Sequence, residues 1–187
     1  MIFAFSTSSP VASVAVLSED GKVLFTGQRA SDMKASEVCF RLLAESGFDP
    51  SHGTIFLADV GPGSFTGTRV GVTIAKTLAF VASAQCGGAN AFDLISLDQT
   101  VVMPSKKGEW FIREPGQEPY RDANRPNGDF VGFGGDMVDP TFPLAERFKV
   151  LLSSLELVSA EAFVPKYLIE PSISIQKRGF GLAGVPK

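Results

Sequence analysis

The residues of this chain that could do chemistry are few: one histidine, two cysteines, and a glycine-rich turn that follows an aspartate. His52 stands in the loop Asp49-Pro50-Ser51-His52-Gly53, and a single imidazole cannot form the HxxxH or HExxH pair with which a helix grips zinc. It reads as a surface residue. Cys39 and Cys86 would be nucleophiles only beside a basic group that lowered their pKa, and one loop histidine cannot be assigned to either, so both read as packing. They match neither a zinc nor a redox spacing and are too few for a disulfide framework, which points to a reducing compartment.

The turn Gly61-Pro62-Gly63-Ser64-Phe65-Thr66-Gly67 carries more information. An apolar run over 54–58 ends at Asp59 and enters the turn, and a helix leaves it. Backbone N–H groups at such a helix start form a positive end that can receive phosphate or carboxylate. The turn lacks Gly-Lys-Ser/Thr, and with it the lysine and magnesium-binding hydroxyl of a P-loop. The same glycines equally permit a tight turn and close packing, with Ser64 or Thr66 capping the helix. Arg69 can pair with a carboxylate on a partner or with an acid of its own chain.

These residues need a scaffold, and the pattern supplies one. Runs over 2–5, 11–17 and 23–25 are β-rich and separated by turn signals, as in an antiparallel meander. Val38, Leu42 and Leu43 recur at helical spacing over 35–46, with Ser31 or Asp32 as N-cap, Gly47 as C-cap, and Glu37, Arg41 and Glu45 on one solvated face. The 54–58 strand and a helix over 68–84 complete a βββαβα order, which opens an actin-like, ribonuclease H-type (ASKHA) α/β domain. Beyond residue 97 the texture changes. A hairpin over 100–103 and 109–113 turns at Lys106-Lys107-Gly108, a Pro/Gly/Asn-rich stretch covers 114–128, a strand is predicted over 129–133 and a short helix over 143–152. The expected division is an N-terminal lobe over 1–98, a smaller second lobe with a C-terminal segment over 99–176, and a flexible tail over 177–187.

A chain of 187 residues with 44% hydrophobic content can bury a sizeable core. Its net charge of −3 offers no general attraction to polyanions, so autonomous nucleic-acid binding is not expected, and Lys106-Lys107 and Lys177-Arg178 read as solvated surface. The N-terminus has no basic region ahead of its apolar residues. The run over 70–92 is interrupted by Lys76, Gln85 and Asn90, so neither a signal peptide nor a membrane span is read, and a cytoplasmic location is expected.

The stretch Gly61-Pro62-Gly63-Ser64-Phe65-Thr66-Gly67-Thr68-Arg69-Val70-Gly71 resembles the signature of the TsaB (YeaZ) family, within the glycoprotease-like superfamily. Ile2-Phe3-Ala4-Phe5-Ser6-Thr7-Ser8, Lys107-Gly108-Glu109-Trp110 and Val164-Pro165-Lys166-Tyr167-Leu168 agree in order and spacing. The resemblance implies a scaffold subunit in the biosynthesis of tRNA threonylcarbamoyladenosine. Its catalytic partner would be a TsaD-like subunit, which would hold the ATP or ADP and the metal, with a TsaE-like ATPase completing the cycle. The chain itself would carry no cofactor, pair with itself when alone and meet tRNA only through the complex. Ser6 stands where such sequences commonly keep an aspartate, which speaks against nucleotide turnover through that position. Lys34 stands where a histidine often precedes Ser36-Glu37. The alternative is an actin-like phosphotransferase or hydrolase acting alone; peptidase activity rests only on the family's naming history.

If the chain makes no bonds, its surplus apolar surface is the informative feature. The 68–84 helix has only Arg69 and Lys76 as charges, and one sheet cannot cover all of its faces. The expected partner interface is Cys39, Leu42 and Leu43 on the first helix with Arg69, Val72, Ala75, Lys76, Ala79 and Phe80 on the second. The competing reading encloses that helix between the sheet and the chain's own C-terminal segments.

Overall fold

The computed structural model describes residues 1–30, 34–106, 108–166 and 168. Three antiparallel strands, β1 (Ile2–Ser6), β2 (Val11–Leu17) and β3 (Val23–Ala30), are followed by helix α1 (Ala35–Ser46), strand β4 (Ile55–Asp59), helix α2 (Phe65–Ala82) and strand β5 (Gln85–Ala89). A second group holds β6 (Val101–Pro104), β7 (Trp110–Arg113), β8 (Tyr120–Asp122) and β9 (Val131–Gly132); a 3-10 helix at Ala145–Val150 then leads to β10 (Leu157–Ser159). The main sheet runs β10-β5-β4-β1-β2-β3 and the second β8-β7-β6-β9. The meander and the βββαβα order are those predicted.

Alternation along the strands explains the layers. Phe3, Phe5 and Phe56 point to one face, where they meet Val38, Cys39, Leu42, Val72, Ala75 and Ala79 of the two helices. Ile2, Ala4, Leu17 and Leu57 point to the other and meet Ala145, Phe148 and Leu151 of the 3-10 segment. The smaller sheet packs Val101, Met103 and Phe111 on Ala91, Phe92 and Ile95, a turn anchored by Arg113, whose guanidinium donates to the carbonyls of Ser96 and Leu97.

Several elements depart from the prediction. α2 begins at Phe65 rather than residue 68, because Ser64 is its N-cap: its hydroxyl oxygen accepts from Gly67 N–H at 3.1 Å. α1 has the predicted bounds, but its N-cap position is Lys34, without a side-chain cap bond, and Gly47 closes it in the left-handed region at φ 71°. Ser31 and Asp32 lie outside the described residues, as do Lys107, Tyr167, Lys177, Arg178 and the 177–187 tail. The predicted 129–133 strand reduces to two residues paired parallel to β6, and the 143–152 helix is 3-10 over 145–150. β5, β8 and β10 escaped the pattern. β5 reads Gln-Cys-Gly-Gly-Ala, poor in strand formers, and the methyl ends of Leu57 and Leu157 fill the space beside Gly87, 2.9 Å from where a Cβ would stand. Through β10 and the 3-10 segment, residues 145–159 return to the main sheet.

Candidate functional site

Register brings Ser6 and Asp59 together. β1 and β4 run parallel with Phe5 beside Ala58, so the two strands end side by side on a serine and an aspartate. Ser6 Oγ lies 2.8 Å from Asp59 Oδ2 and 2.8 Å from the Pro143 carbonyl; Ser8 N–H donates to Asp59 Oδ2 at 3.2 Å and Gly61 N–H to Oδ1 at 2.9 Å. Burial pushes the Asp59 carboxyl up, against the opposing effect of these donors. The two 2.8 Å contacts fit that direction. Ser6 has one hydroxyl proton and two acceptors, and a neutral Asp59 resolves the shortage by donating to Ser6 Oγ, which donates to Pro143. On β2, Ser13 Oγ accepts from Ala145 N–H at 2.9 Å, so two serines clamp the segment that covers the sheet end. Sequence reasoning singled out Ser6 as a missing acid and did not foresee this clamp, because its partner is 137 residues away.

The glycine turn packs against the β1–β2 turn. A Cβ at Gly63 would stand 2.4 Å from Ser8 O, at Gly67 2.0 Å from Thr7 O, and at Gly71 2.5 Å from Thr7 Oγ1. Thr7 Oγ1 donates to Gly67 O and Ser64 N–H to Ser8 O, at 2.8 and 2.7 Å. Glycine's small size is required for this close approach, which is the packing reading of the motif. Outside that contact a cleft of about 490 Å³ opens, with Ser8 and residues 61–65 on one wall and Pro104, Ser105, Lys106, Phe111 and Phe133 of the second sheet on the other.

A second concavity, about 450 Å³, lies along the outer faces of α1 and α2, lined by Phe40, Phe65, Arg69, Val70, Thr73, Ile74, Thr77 and Leu78. Phe40 is 53% exposed, Phe80 67% and Val81 74%, so the second helix is not wholly enclosed by its own chain. The expected interface needs correction at most positions. Cys39, Leu42, Leu43, Val72, Ala75 and Ala79 are buried in the chain's own core, because the sheet draws the most apolar helix faces inward. Lys76 is committed to the C-terminal segment, donating to the carbonyls of Glu161 and Phe163 at 3.0 and 3.4 Å. Arg69 and Phe80 remain on the outer surface, and the Arg69 guanidinium stacks 4.5 Å from the Phe65 ring. Phe40, Thr73 and Thr77 escaped the sequence reading. Their signal was position: Phe40 lies on the face opposite Val38 and Leu42.

Cys39 is buried and its thiol pushed up to about 12 by burial; burial also lifts Cys86 to about 11, with Lys76 opposing and Glu161 assisting. His52 is exposed on the 3-10 turn Pro50–His52. Among the described residues, no group of three His, Cys, Asp or Glu side chains could hold a metal, and no helix is long and apolar enough to cross a membrane.

Comparison with known proteins shows what the chain is similar to. A profile of the family described as "TsaD: tRNA N6-adenosine threonylcarbamoyltransferase" matches residues 27–105. The tRNA threonylcarbamoyladenosine biosynthesis protein TsaB of Bacillus subtilis (strain 168) is 33% identical over 82 residues, a stretch that is 42% of this chain and 36% of that relative. YeaZ from Pseudomonas aeruginosa superposes with a TM-score of 0.66 at 20% identity, covering 89% of this chain and 99% of that one. A second crystal structure, of an uncharacterized protein with similarity to peptidase YeaZ from Pseudomonas aeruginosa, gives 0.72 at 19% identity over 90% and 99%. Over its N-terminal part the chain is similar to the TsaB/YeaZ family. Its fold is the actin-like one of the YeaZ structures, with two sheets. The B. subtilis match spans about a third of that relative's length, and the family profile ends just after β6. The profile therefore rests on the part of the chain that carries α1, the glycine turn and α2.

Proposed function

We propose that this chain is a non-catalytic partner subunit in the biosynthesis of threonylcarbamoyladenosine in tRNA, and that it docks onto a TsaD-type subunit through the groove between α1 and α2. The observation that carries the reading is the uncovered apolar surface of that groove and its rim, where Phe40, Phe80 and Val81 stand open to solvent. A helix pair that exposes aromatic side chains beside a threonine-lined trough suits a partner presenting helices of its own. ATP or ADP and any metal would sit on the partner, a TsaE-like ATPase would complete the cycle in the cytoplasm, and tRNA would be met only through the assembly. Without its partner the chain would cover the same surface with a second copy.

The alternative, an actin-like phosphotransferase or hydrolase acting alone, is less well supported. Both Asp59 oxygens receive hydrogen bonds from the chain itself, and Pro143 covers Ser6. The test is size-exclusion chromatography of the chain mixed with its cognate TsaD-type subunit, coupled to an assay of threonylcarbamoyladenosine formation. Phe80→Glu and Phe40→Glu are expected to abolish co-elution and tRNA modification while leaving the melting temperature unchanged. Co-elution and modification that survive both substitutions would remove the groove from the proposal. Leu78→Glu is a poorer probe, because Leu78 packs partly against the core.

A further inference from the structure

The last described residues run as an anchored strap into the cleft beside the glycine turn. β10 joins the strap to the edge of the main sheet, Ala160 and Phe163 sit in the core, and Lys76 of α2 donates to the carbonyls of Glu161 and Phe163 at 3.0 and 3.4 Å. Lys166 N–H then donates to Val60 O at 3.0 Å, and the Lys166 carbonyl oxygen lies 3.2 Å from where a Cβ of Gly61 would stand. Lys166 and Leu168 both line the cleft, and Leu168 is an exposed apolar residue there. The sequence after Leu168 is therefore delivered to the cleft at a fixed place.

That sequence suits the lining. The cleft presents Pro10, Phe65, Phe111, Phe133 and Leu168, and its charged side chains are Lys106 and Lys166, without an Asp or Glu among the described lining residues. Residues 169–176 read Ile-Glu-Pro-Ser-Ile-Ser-Ile-Gln. Ile169, Ile173 and Ile175 alternate with Glu170, Ser172 and Ser174, so an extended segment is apolar on one side and polar on the other. Glu170 is the one acid after Glu161, and Lys177-Arg178 follow with two positive charges that a lysine-lined cleft repels. The match in polarity and charge is thus confined to the residues next to the anchor. Tethering makes their encounter with the cleft intramolecular, which favours them over a free molecule of equal affinity.

We propose that residues 169–176 of this chain occupy the cleft themselves, in extended form, with Ile169, Ile173 and Ile175 against the phenylalanines and Glu170 at the mouth beside the exposed Lys106. The segment is a plug carried by the chain. A soluble molecule gains the cleft only when the plug is drawn out, while the strap over 157–166 stays in place. The docking groove plays no part in this, since it lies on the outer faces of α1 and α2, beyond Phe65.

The experiment places a nitroxide on the full isotope-labelled chain through Ser174→Cys, on the polar side of the segment; Cys39 and Cys86 are buried with raised thiol pKa values and stay unlabelled. Amide NMR then compares the oxidised with the reduced label. Loss of signal is expected at Gly63, Lys106 and Phe133 of the cleft, with Thr77 of the groove keeping its signal. Ile173→Asp/Ile175→Asp in the labelled chain should weaken the loss and leave the signals of the main sheet unshifted. A labelled Phe80→Glu chain should retain it, so failure of docking and failure of the plug are distinguishable. Loss at Thr77 as strong as at Gly63, no site-specific loss, loss undiminished in the isoleucine double variant, or transfer of the loss to a separate isotope-labelled chain without nitroxide would each overturn the proposal.

Discussion

Gly67→Ala is the sharpest test of what the glycine turn is for, because helix propensity and packing predict opposite signs. Gly67 lies in the first turn of α2, where replacing glycine by alanine would add at most about 1 kcal/mol of stability. Its new Cβ, however, would stand 2.0 Å from the Thr7 carbonyl oxygen and 3.1 Å from the carbonyl carbon. An ordinary carbon–oxygen contact is about 3.3 Å or longer, so the β1–β2 turn and the helix would have to separate by more than an ångström. Backbone cannot swing aside as a side chain can, and overpacking of this kind costs about 1–3 kcal/mol. Separation would also break the 2.8 Å bond from Thr7 Oγ1 to Gly67 O, a further loss of about 1 kcal/mol. The net expectation is destabilisation by about 2 kcal/mol, which for a chain of this length lowers the melting temperature by roughly 4–8 °C.

Gly71→Ala supplies the contrast. The obstacle there is the Thr7 hydroxyl at 2.5 Å, which can rotate away, so loss of its hydrogen bond and the propensity gain should nearly cancel. In a Thr7→Ala background Gly71→Ala should become stabilising, whereas Gly67→Ala should stay harmful because the carbonyl remains. Thermal and urea unfolding of the three single and two double variants measures each term. A Gly67→Ala protein that melts at or above the parent temperature would refute the argument that these glycines exist for close approach.

Two further outcomes follow from burial. Asp59, its pKa raised in the folded state, keeps its proton where the unfolded chain has lost it, so the folded form binds more protons and its advantage falls as pH rises. Urea unfolding from about pH 4 upward should therefore show the parent losing stability relative to Asp59→Asn, a variant that also gives up the acceptor for Ser8 N–H; parallel pH curves would contradict a neutral Asp59. Cys39 and Cys86, with thiols near 12 and 11, should resist iodoacetamide at pH 8 in the native protein and react fully in guanidinium, read by mass spectrometry; rapid native labelling would show the core to be open.

Local signals carried the N-terminal lobe well. The β1–β2–β3 meander, α1 and the strand–turn–helix around Gly61 each declare themselves within a dozen residues, through alternation, 3.6-residue periodicity or turn chemistry. What lay beyond reach was set by distant contacts. β5 tolerates two glycines because Leu57, Val60 and Leu157 fill the space where side chains would go, and none of those neighbours is adjacent in sequence. The three-residue β10 is a strand because β5 offers it an edge. The interface was misread for a related reason: apolarity marks which helix face is buried but not by what, and the sheet claimed Val72, Ala75 and Ala79 first. Phe40 and Phe80 are better markers of an outer surface because they break the helical pattern.

The serine at the end of β1 and the closure of the sheet end are best understood as one arrangement. An acid at position 6 would face Asp59 across a solvent-free contact, and two carboxylates so close cannot both ionise without a cation between them. Serine removes that conflict. It bonds both the Asp59 carboxyl, whose pKa burial raises, and the Pro143 carbonyl and, with Ser13, fixes the segment that carries Phe148 onto the sheet. The Ser6 hydroxyl therefore helps to complete the core. With the strand ends sealed, Phe65 at the start of α2 lines both concavities, and the packing of Gly67 and Gly71 on Thr7 fixes where that residue stands. A change that shifts this turn should therefore disturb the cleft and the groove together, whereas Phe80→Glu should disturb the groove side alone.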